Sequence, residues 1–375
     1  MTEEQGFSTR AIHAGQDPDS ATGSVVPPIY ATSTFIQDGV GGVRGGYEYS
    51  RSANPTRTAL EECMAALEGG RHGFAFASGL AAEDTLLRTI ASPGSHFVVP
   101  SDAYGGTFRL FSKVHERWGV TADPAPLADL AAVEAAITPR VTTGVWIETP
   151  TNPKLAIADI AAISELAHAA GALVIVDNTF ASPYLQQPLG LGADVVVHST
   201  TKYLGGHSDT IGGAAIVRDA ELHERVRFVQ NSIGAVPGPL DCFLVHRGLR
   251  TLYLRVAAHD ANGLAVSSWL HKVAGIADVR WPGFGGMVCF RHPDAVRIAS
   301  STRIFSLAES LGGVESLIEV PQAMTHQSVE GSSAAVPADL VRLSCGVEAG
   351  EDLIADLAQA IGVPVAAPAQ ASLHA

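Results

Sequence analysis

The sequence predicts an α/β fold class: a mainly parallel sheet covered by helices, followed by a smaller C-terminal α+β domain. Two observations carry this. From Phe74 to about residue 230, short apolar runs alternate with helical patterns, as in a parallel sheet with helices on both faces. After a long helical pattern over residues 240–271 the character shifts to strands of a second, smaller sheet. A chain of 375 residues also fits two domains better than one.

Residues 1–50 are rich in Gly, Pro and Thr without a sustained helical period, which predicts an extended arm that packs on something, often a neighbouring subunit. A helix follows. Asn54 is its cap, Pro55 suits the first turn, Leu60, Met64 and Leu67 share a face, and Gly69-Gly70 ends it. Strands are expected over 74–77, 96–99, 141–148, 173–177, 195–198 and 214–217, with helices between most of them. The smaller sheet is expected from 285–290, 315–320 and 340–346, with helices near 294–311 and 351–361. The chain thus divides into an arm over 1–50, an α/β domain over 51–235 and an α+β domain over 236–375, whose Ala-rich end from 366 is expected to fray.

Lys and Arg number 24 against 38 Asp and Glu, a net charge of −14 with no basic run, which points away from nucleic acid. Glu3 and Glu4 stand where a signal peptide would be basic, and no apolar stretch approaches bilayer-spanning length, so a cytoplasmic protein without a membrane partner is expected. Cys63, Cys242, Cys289 and Cys345 form no CxxC pair and read as core residues of a reducing compartment, with no zinc or other metal site indicated.

Lys202 follows the apolar run Val195-Val196-Val197, at the strand end where open α/β sheets place ligands. An amine there can trap an aldehyde. Ser199 and Thr201 offer hydroxyls to a phosphate ester, and nearby glycines let the backbone approach a flat ring. Alone, the run suits a surface lysine equally well. Asp177 ends another buried strand and can pair with a protonated pyridine nitrogen, or simply cap the next segment. A helical pattern starts near Ala81, and the turn before it, at Gly79 and Leu80, suits phosphate because N–H groups at a helix start are unsatisfied, though one Ser-Gly before a helix is a weak signal alone. Tyr104, beside Gly105 and Gly106, can stack on a flat ring, though in isolation a core tyrosine is the better reading. Tyr49 and Arg51 in the arm suit a phosphate dianion, one bound in a partner subunit included, although such pairs are more often ordinary surface residues. Asn152, held between Pro150 and Pro153, can aim its amide at a phenolic oxygen. Arg342, in an otherwise apolar strand, needs a partner, and an amino-acid carboxylate is a good one.

These motifs, with Thr200-Thr201-Lys202-Tyr203-Leu204-Gly205-Gly206-His207 the most specific, resemble the Cys/Met-metabolism family of pyridoxal phosphate enzymes from about Ser8 to Ile361. Cystathionine γ-lyases and γ-synthases are the most similar branch. The resemblance implies fold type I, pyridoxal 5'-phosphate as cofactor, a small-molecule amino-acid substrate, and a homotetramer whose dimers share active sites. It implies Lys202 as the Schiff-base lysine and proton shuttle, Asp177 as the ring-nitrogen partner, and Tyr104 as the stacking ring and proton donor. Gly79, Leu80, Ser199 and Thr201 would hold the phosphate, and Tyr49 and Arg51 that of the adjacent subunit. Asn152 and Arg342 would orient cofactor oxygen and substrate carboxylate.

Leu307-Ala308-Glu309-Ser310-Leu311 resembles the cystathionine branch, where Glu309, with Ser310 beside it, can meet a polar distal group; a solvated helix end is the plainer reading of Glu309. Gly106 stands where methionine γ-lyases typically carry cysteine. The chain departs from the family after Gly283, where a segment is usually inserted; its loss is expected to widen the entrance or loosen that region. On that ground, and because water is always available, the expectation is a carbon–sulfur lyase acting at the γ carbon, cystathionine γ-lyase first, giving cysteine, 2-oxobutanoate and ammonia. Cystathionine γ-synthase, joining O-activated homoserine to cysteine, and methionine γ-lyase follow. From another class, an inactive cofactor-binding subunit of a mixed oligomer is opposed by the intact residue set.

Overall fold

The computed structural model describes residues 5–327 and 335–364; Glu3, Glu4 and the Ala-rich end lie outside them. Seven strands form the large sheet: β1 (His72–Phe76), β2 (His96–Pro100), β3 (Thr121–Ala125), β4 (Thr142–Glu148), β5 (Leu173–Asp177), β6 (Val195–Ser199) and β7 (Gly213–Val217). Their order is β1-β7-β6-β5-β4-β2-β3, parallel throughout except that β7 runs antiparallel to both β1 and β6. The central strands are buried on both faces, which explains their unbroken apolar runs. Apolar residues of alternate parity feed two separate cores, one on each side of the sheet.

Five further strands build the second sheet: β8 (Ala277–Arg280), β9 (Met287–Arg291), β10 (Ser306–Leu307), β11 (Leu317–Glu319) and β12 (Leu340–Ser344), in the order β10-β11-β12-β9-β8. β3 and β8 escaped the sequence reading. Both are edge strands whose residues are mostly exposed, and β3 carries Pro124, so neither shows the apolar alternation of a covered strand.

Three expectations are corrected. The arm contains a short helix, Phe7–His13, too brief to display a period. The long helical pattern is two helices, Pro239–Leu249 and Leu252–Leu270. At the break, Arg255 donates to Thr251 Oγ1 (3.1 Å), Gly248 O (2.8 Å) and Tyr203 O (2.8 Å), which ties the corner to the loop carrying Lys202. Gly248 is required there, because a Cβ would lie 2.3 Å from Gly205 O. The helix expected over 294–311 spans only Ala295–Ala299. Asp356 accepts from the amides of Arg303, Ile304 and Phe305 at 2.7–3.0 Å, drawing the chain out of helix and into β10.

The shortened connection after Arg280 is closed rather than loose. Trp281 Nε1 donates to Gly285 O (2.8 Å) and Gly285 N to Asp260 (2.7 Å). The groove beside it, lined by Lys154, His271, Arg280 and Trp281 among others, shares no residue with the cavity around Lys202.

Candidate active site

β4, β5 and β6 end side by side, and a cavity of about 270 Å³ opens past their carboxyl ends, where parallel strands present their loops. Every site residue expected from the sequence lines this cavity except Tyr49 and Arg51. Those two lie elsewhere in the chain. Arg51 donates to Asn231 O (2.7 Å) and its guanidinium sits 5.6 Å from the Tyr49 ring centre, with Tyr49 46% exposed.

The anion cradle is built by one helix start. Ser78 caps Gly79–Ile90 by accepting from Ala81 N (3.1 Å), which leaves the N–H groups of Gly79 and Leu80 without intrahelical acceptors. Opposite stand Ser199 and Thr201. Thr179 Oγ1 fixes Ser199 by accepting from its amide (2.9 Å), and Thr201 Oγ1 accepts from Gly212 N (3.1 Å). A Cβ on Gly213 would lie 2.1 Å from Ser78 O, so the close strand packing under the cradle requires glycine.

Lys202 follows β6 in a tight turn and donates from Nζ to Ser310 Oγ (2.6 Å). Burial lowers its pKa to about 8, assisted by the Arg342 charge, with Glu319 and Glu309 opposing. Ser310 is held at a φ of 92°, a conformation uncommon for a residue with a side chain. Its carbonyl accepts from Arg342 Nη2 (2.8 Å), so the strained turn is fixed from both sides.

Three carboxyls share the far wall. Asp177 ends β5 and accepts from Thr179 N (2.9 Å); burial raises its pKa while the Thr179 bonds and His198 oppose the rise. Glu148 ends β4, accepting from Tyr104 N (2.8 Å) and Asn152 N (2.7 Å), and burial with the Asp177 charge pushes its pKa well up. Glu83 is the third. It is buried on the Gly79–Ile90 helix, and burial with Asp177 raises its pKa well above the usual range. The Tyr104 phenol is likewise raised, by burial first and then by Glu83.

Arg342, on β12, is 3% exposed; its Nη1 lies 3.1 Å from Glu319 Oε1 and donates to Asn152 Oδ1 (2.8 Å). Glu319 faces it across the β11–β12 ladder, so part of the partner expected for this arginine is built into the protein. Glu309 is exposed at the mouth and lines both this cavity and an adjoining one that also holds Asp209, Asp241 and Glu315.

Sequence reasoning missed Glu83, Glu319 and the roles of Glu148 and Thr179. Glu83 was findable, since it lies four residues after Gly79 on the same helix face. Glu319 was not, because its tie to Arg342 depends on strand register. Gly106 is pressed against the Tyr104 ring: a Cβ there would stand 2.4 Å from Cε1. Gly106→Ala is therefore expected to displace the ring and lower kcat by about 10²-fold, the scale of a 1 Å misplacement, checked by steady-state kinetics.

The donor set suits a phosphorylated pyridine aldehyde: an anion cradle at one end, an amine with lowered pKa, and an acid at the strand end opposite. The model for "Cys/Met metabolism PLP-dependent enzyme" matches residues 8–362. The chain is 57% identical to cystathionine gamma-synthase of Mycobacterium tuberculosis, over 96% of this chain and 99% of that protein. That alignment spans 384 residues against the 375 here, in keeping with a segment absent from this chain. Cystathionine beta-lyase of Lactococcus lactis is 48% identical over 95% of this chain and 98% of its own length. The crystal structure of metB from Corynebacterium glutamicum superposes with a TM-score of 0.95 at 47% identity, covering 96% of this chain and 99% of that one. Fold, cavity and sequence agree, and the chain belongs to the Cys/Met-metabolism family of pyridoxal phosphate-dependent enzymes.

Proposed function

We propose that this enzyme catalyses replacement at the γ carbon of an O-activated homoserine by the thiol of cysteine, forming cystathionine. The carrying observation is the 57% identity to a cystathionine gamma-synthase over nearly the full length of both chains, which favours the synthase over the lyase.

When bound, pyridoxal phosphate supplies an electron sink for the carbanion formed at the substrate's Cα. Gly79, Leu80, Ser199 and Thr201 would hold its phosphate, and Asp177 would pair with its ring nitrogen, where a positive charge would offset the burial that raises this acid's pKa. Arg342, aimed by Glu319 and Asn152, takes the substrate carboxylate. Lys202 anchors the cofactor and moves the Cα proton; a pKa of about 8 makes its amine neutral part of the time near neutral pH. Tyr104 would stack on the ring; an acyloxy group displaced from the γ carbon leaves as a carboxylate and needs no proton, whereas in the lyase reading the phenol, kept protonated by its raised pKa, would protonate the departing sulfur. Glu309 at the mouth meets the ammonium of the incoming cysteine. Tyr49 and Arg51, exposed beside an arm that also exposes Val25, Ile36 and Val40, reach the cofactor phosphate of a second copy in a homotetramer.

Holoenzyme incubated in parallel with O-succinylhomoserine plus cysteine, with cystathionine, and with methionine tests this reading. Cystathionine from the first mixture should be the fastest product. Faster release of 2-oxobutanoate from cystathionine would make the enzyme a cystathionine γ-lyase, the second reading, which uses the same residues with water in place of the thiol; the open mouth at Glu309 admits both.

The Lys202 pKa carries its own prediction. Because it is lowered from 10.5 to about 8, the neutral fraction grows tenfold per unit below pH 8 and saturates above it. The rate at which apoenzyme takes up the cofactor, followed by visible absorbance, should climb to about pH 8 and then level off.

A further inference from the structure

The helix Pro55–Glu68 ends on a buried acid, and two costs attach to it there. A carboxyl at a helix C-terminus meets the negative end of the helix dipole, and Glu68, 1% exposed, is out of reach of bulk water. Both costs are offset by one side-chain cluster. Glu68 Oε1 accepts from Asn178 Nδ2 (2.8 Å) and lies 2.5 Å from His198 Nε2, and both of those side chains are buried.

The places of the two partners give the cluster a use. Asn178 directly follows Asp177 at the end of β5, and His198 on β6 stands four residues before Lys202. A single carboxyl oxygen therefore bridges the strand end that carries Asp177 and the strand end that leads into Lys202. A backbone bond from Asn178 N to Val197 O (3.0 Å) runs alongside it. The cluster also reaches β4: Gln186 donates to Asn178 Oδ1 (2.9 Å) and to Thr149 O (3.2 Å), the residue after Glu148, while its own carbonyl accepts from Asn178 Nδ2 (2.8 Å). His198 shares strand parity with Val196, which lies in the core that also holds Leu60, Met64 and Leu67 of the same helix. Glu68, Asn178, Gln186 and His198 do not line the cavity around Lys202, so they act on it only through their neighbours in the chain.

We propose that Glu68 is a positioning residue for the reaction: from behind the sheet it fixes the spacing between Asp177 and Lys202 by holding Asn178 and His198 on one oxygen. This rests on the pyridoxal phosphate reading of the cavity, in which a ring nitrogen paired with Asp177 leaves the aldehyde for Lys202 to capture. Loss of that spacing slows capture of the cofactor as well as turnover.

The test compares wild type, E68Q, E68L and N178A, reading the rate at which apoenzyme develops the visible absorbance of the Lys202-bound cofactor, alongside kcat, KM and thermal unfolding. E68L removes the bridging oxygen and should lower both the capture rate and kcat by about 10²-fold, the scale of a 1 Å misplacement, with KM changed by less than about twofold. N178A cuts the Asp177 arm alone and should lower both by about tenfold, half the full effect on a logarithmic scale, so the outcome does not depend on E68L folding. E68Q keeps an oxygen for both partners and puts its amide nitrogen where Oε2 has no hydrogen-bond partner among the described residues; it should stay within about fivefold of wild type. Variants that lose melting temperature but keep wild-type capture and turnover would make Glu68 a purely structural residue and overturn the proposal. E68Q as slow as E68L would assign the effect to charge instead of position and overturn it too. If wild type develops no visible band with the cofactor, the pyridoxal reading fails and this inference with it. A band that forms in N178A at the wild-type rate overturns this inference alone.

Discussion

Lys202→Ala is expected to abolish turnover, lowering kcat by at least about 10⁴-fold, the upper range for a single positioned acid–base group. The visible absorbance of the lysine-bound cofactor should vanish with it. Folding should survive, since the Nζ bond to Ser310 is the only hydrogen bond of this amine among the described residues and the surrounding turn is held by backbone bonds from Gly205 N to Thr200 O and from Gly206 N to Lys202 O. Far-ultraviolet circular dichroism and an unchanged melting temperature would separate loss of chemistry from loss of structure.

Arg342→Leu is expected to act on stability and activity together. Removing the guanidinium leaves Glu319, 1% exposed, without its ion-pair partner, and breaking a buried pair from one side costs about 3–5 kcal/mol. Asn152 Oδ1 and Ser310 O lose their donors as well. The double variant Arg342→Leu with Glu319→Leu removes the stranded charge and should recover most of the stability in denaturant unfolding. Its activity should not recover, because no cation remains to take the substrate carboxylate. A double variant with restored turnover would show that Arg342 serves only the fold.

What was legible in the sequence follows from what each feature depends on. β4, β5 and β6 were readable because strands buried on both faces are apolar throughout, and the residues that matter stand at their ends. Lys202, Asp177 and the Gly79 turn, all at strand ends or a helix start, line one cavity. Edge strands β3 and β8 lacked that signal, and the helix expected over 294–311 was unwound by Asp356 from another element, a tertiary contact no local pattern carries. Within the site, Glu319 depends on strand register, and the closure of the shortened connection depends on Trp281 and Asp260 meeting Gly285.

The most direct test of the central claim is to add pyridoxal phosphate, reduce with borohydride, and locate the fixed cofactor by peptide mass spectrometry. The chain has four lysines, Lys113, Lys154, Lys202 and Lys272, and the account predicts stoichiometric label on Lys202. Label on one of the other three, or no fixed label at all, would contradict it.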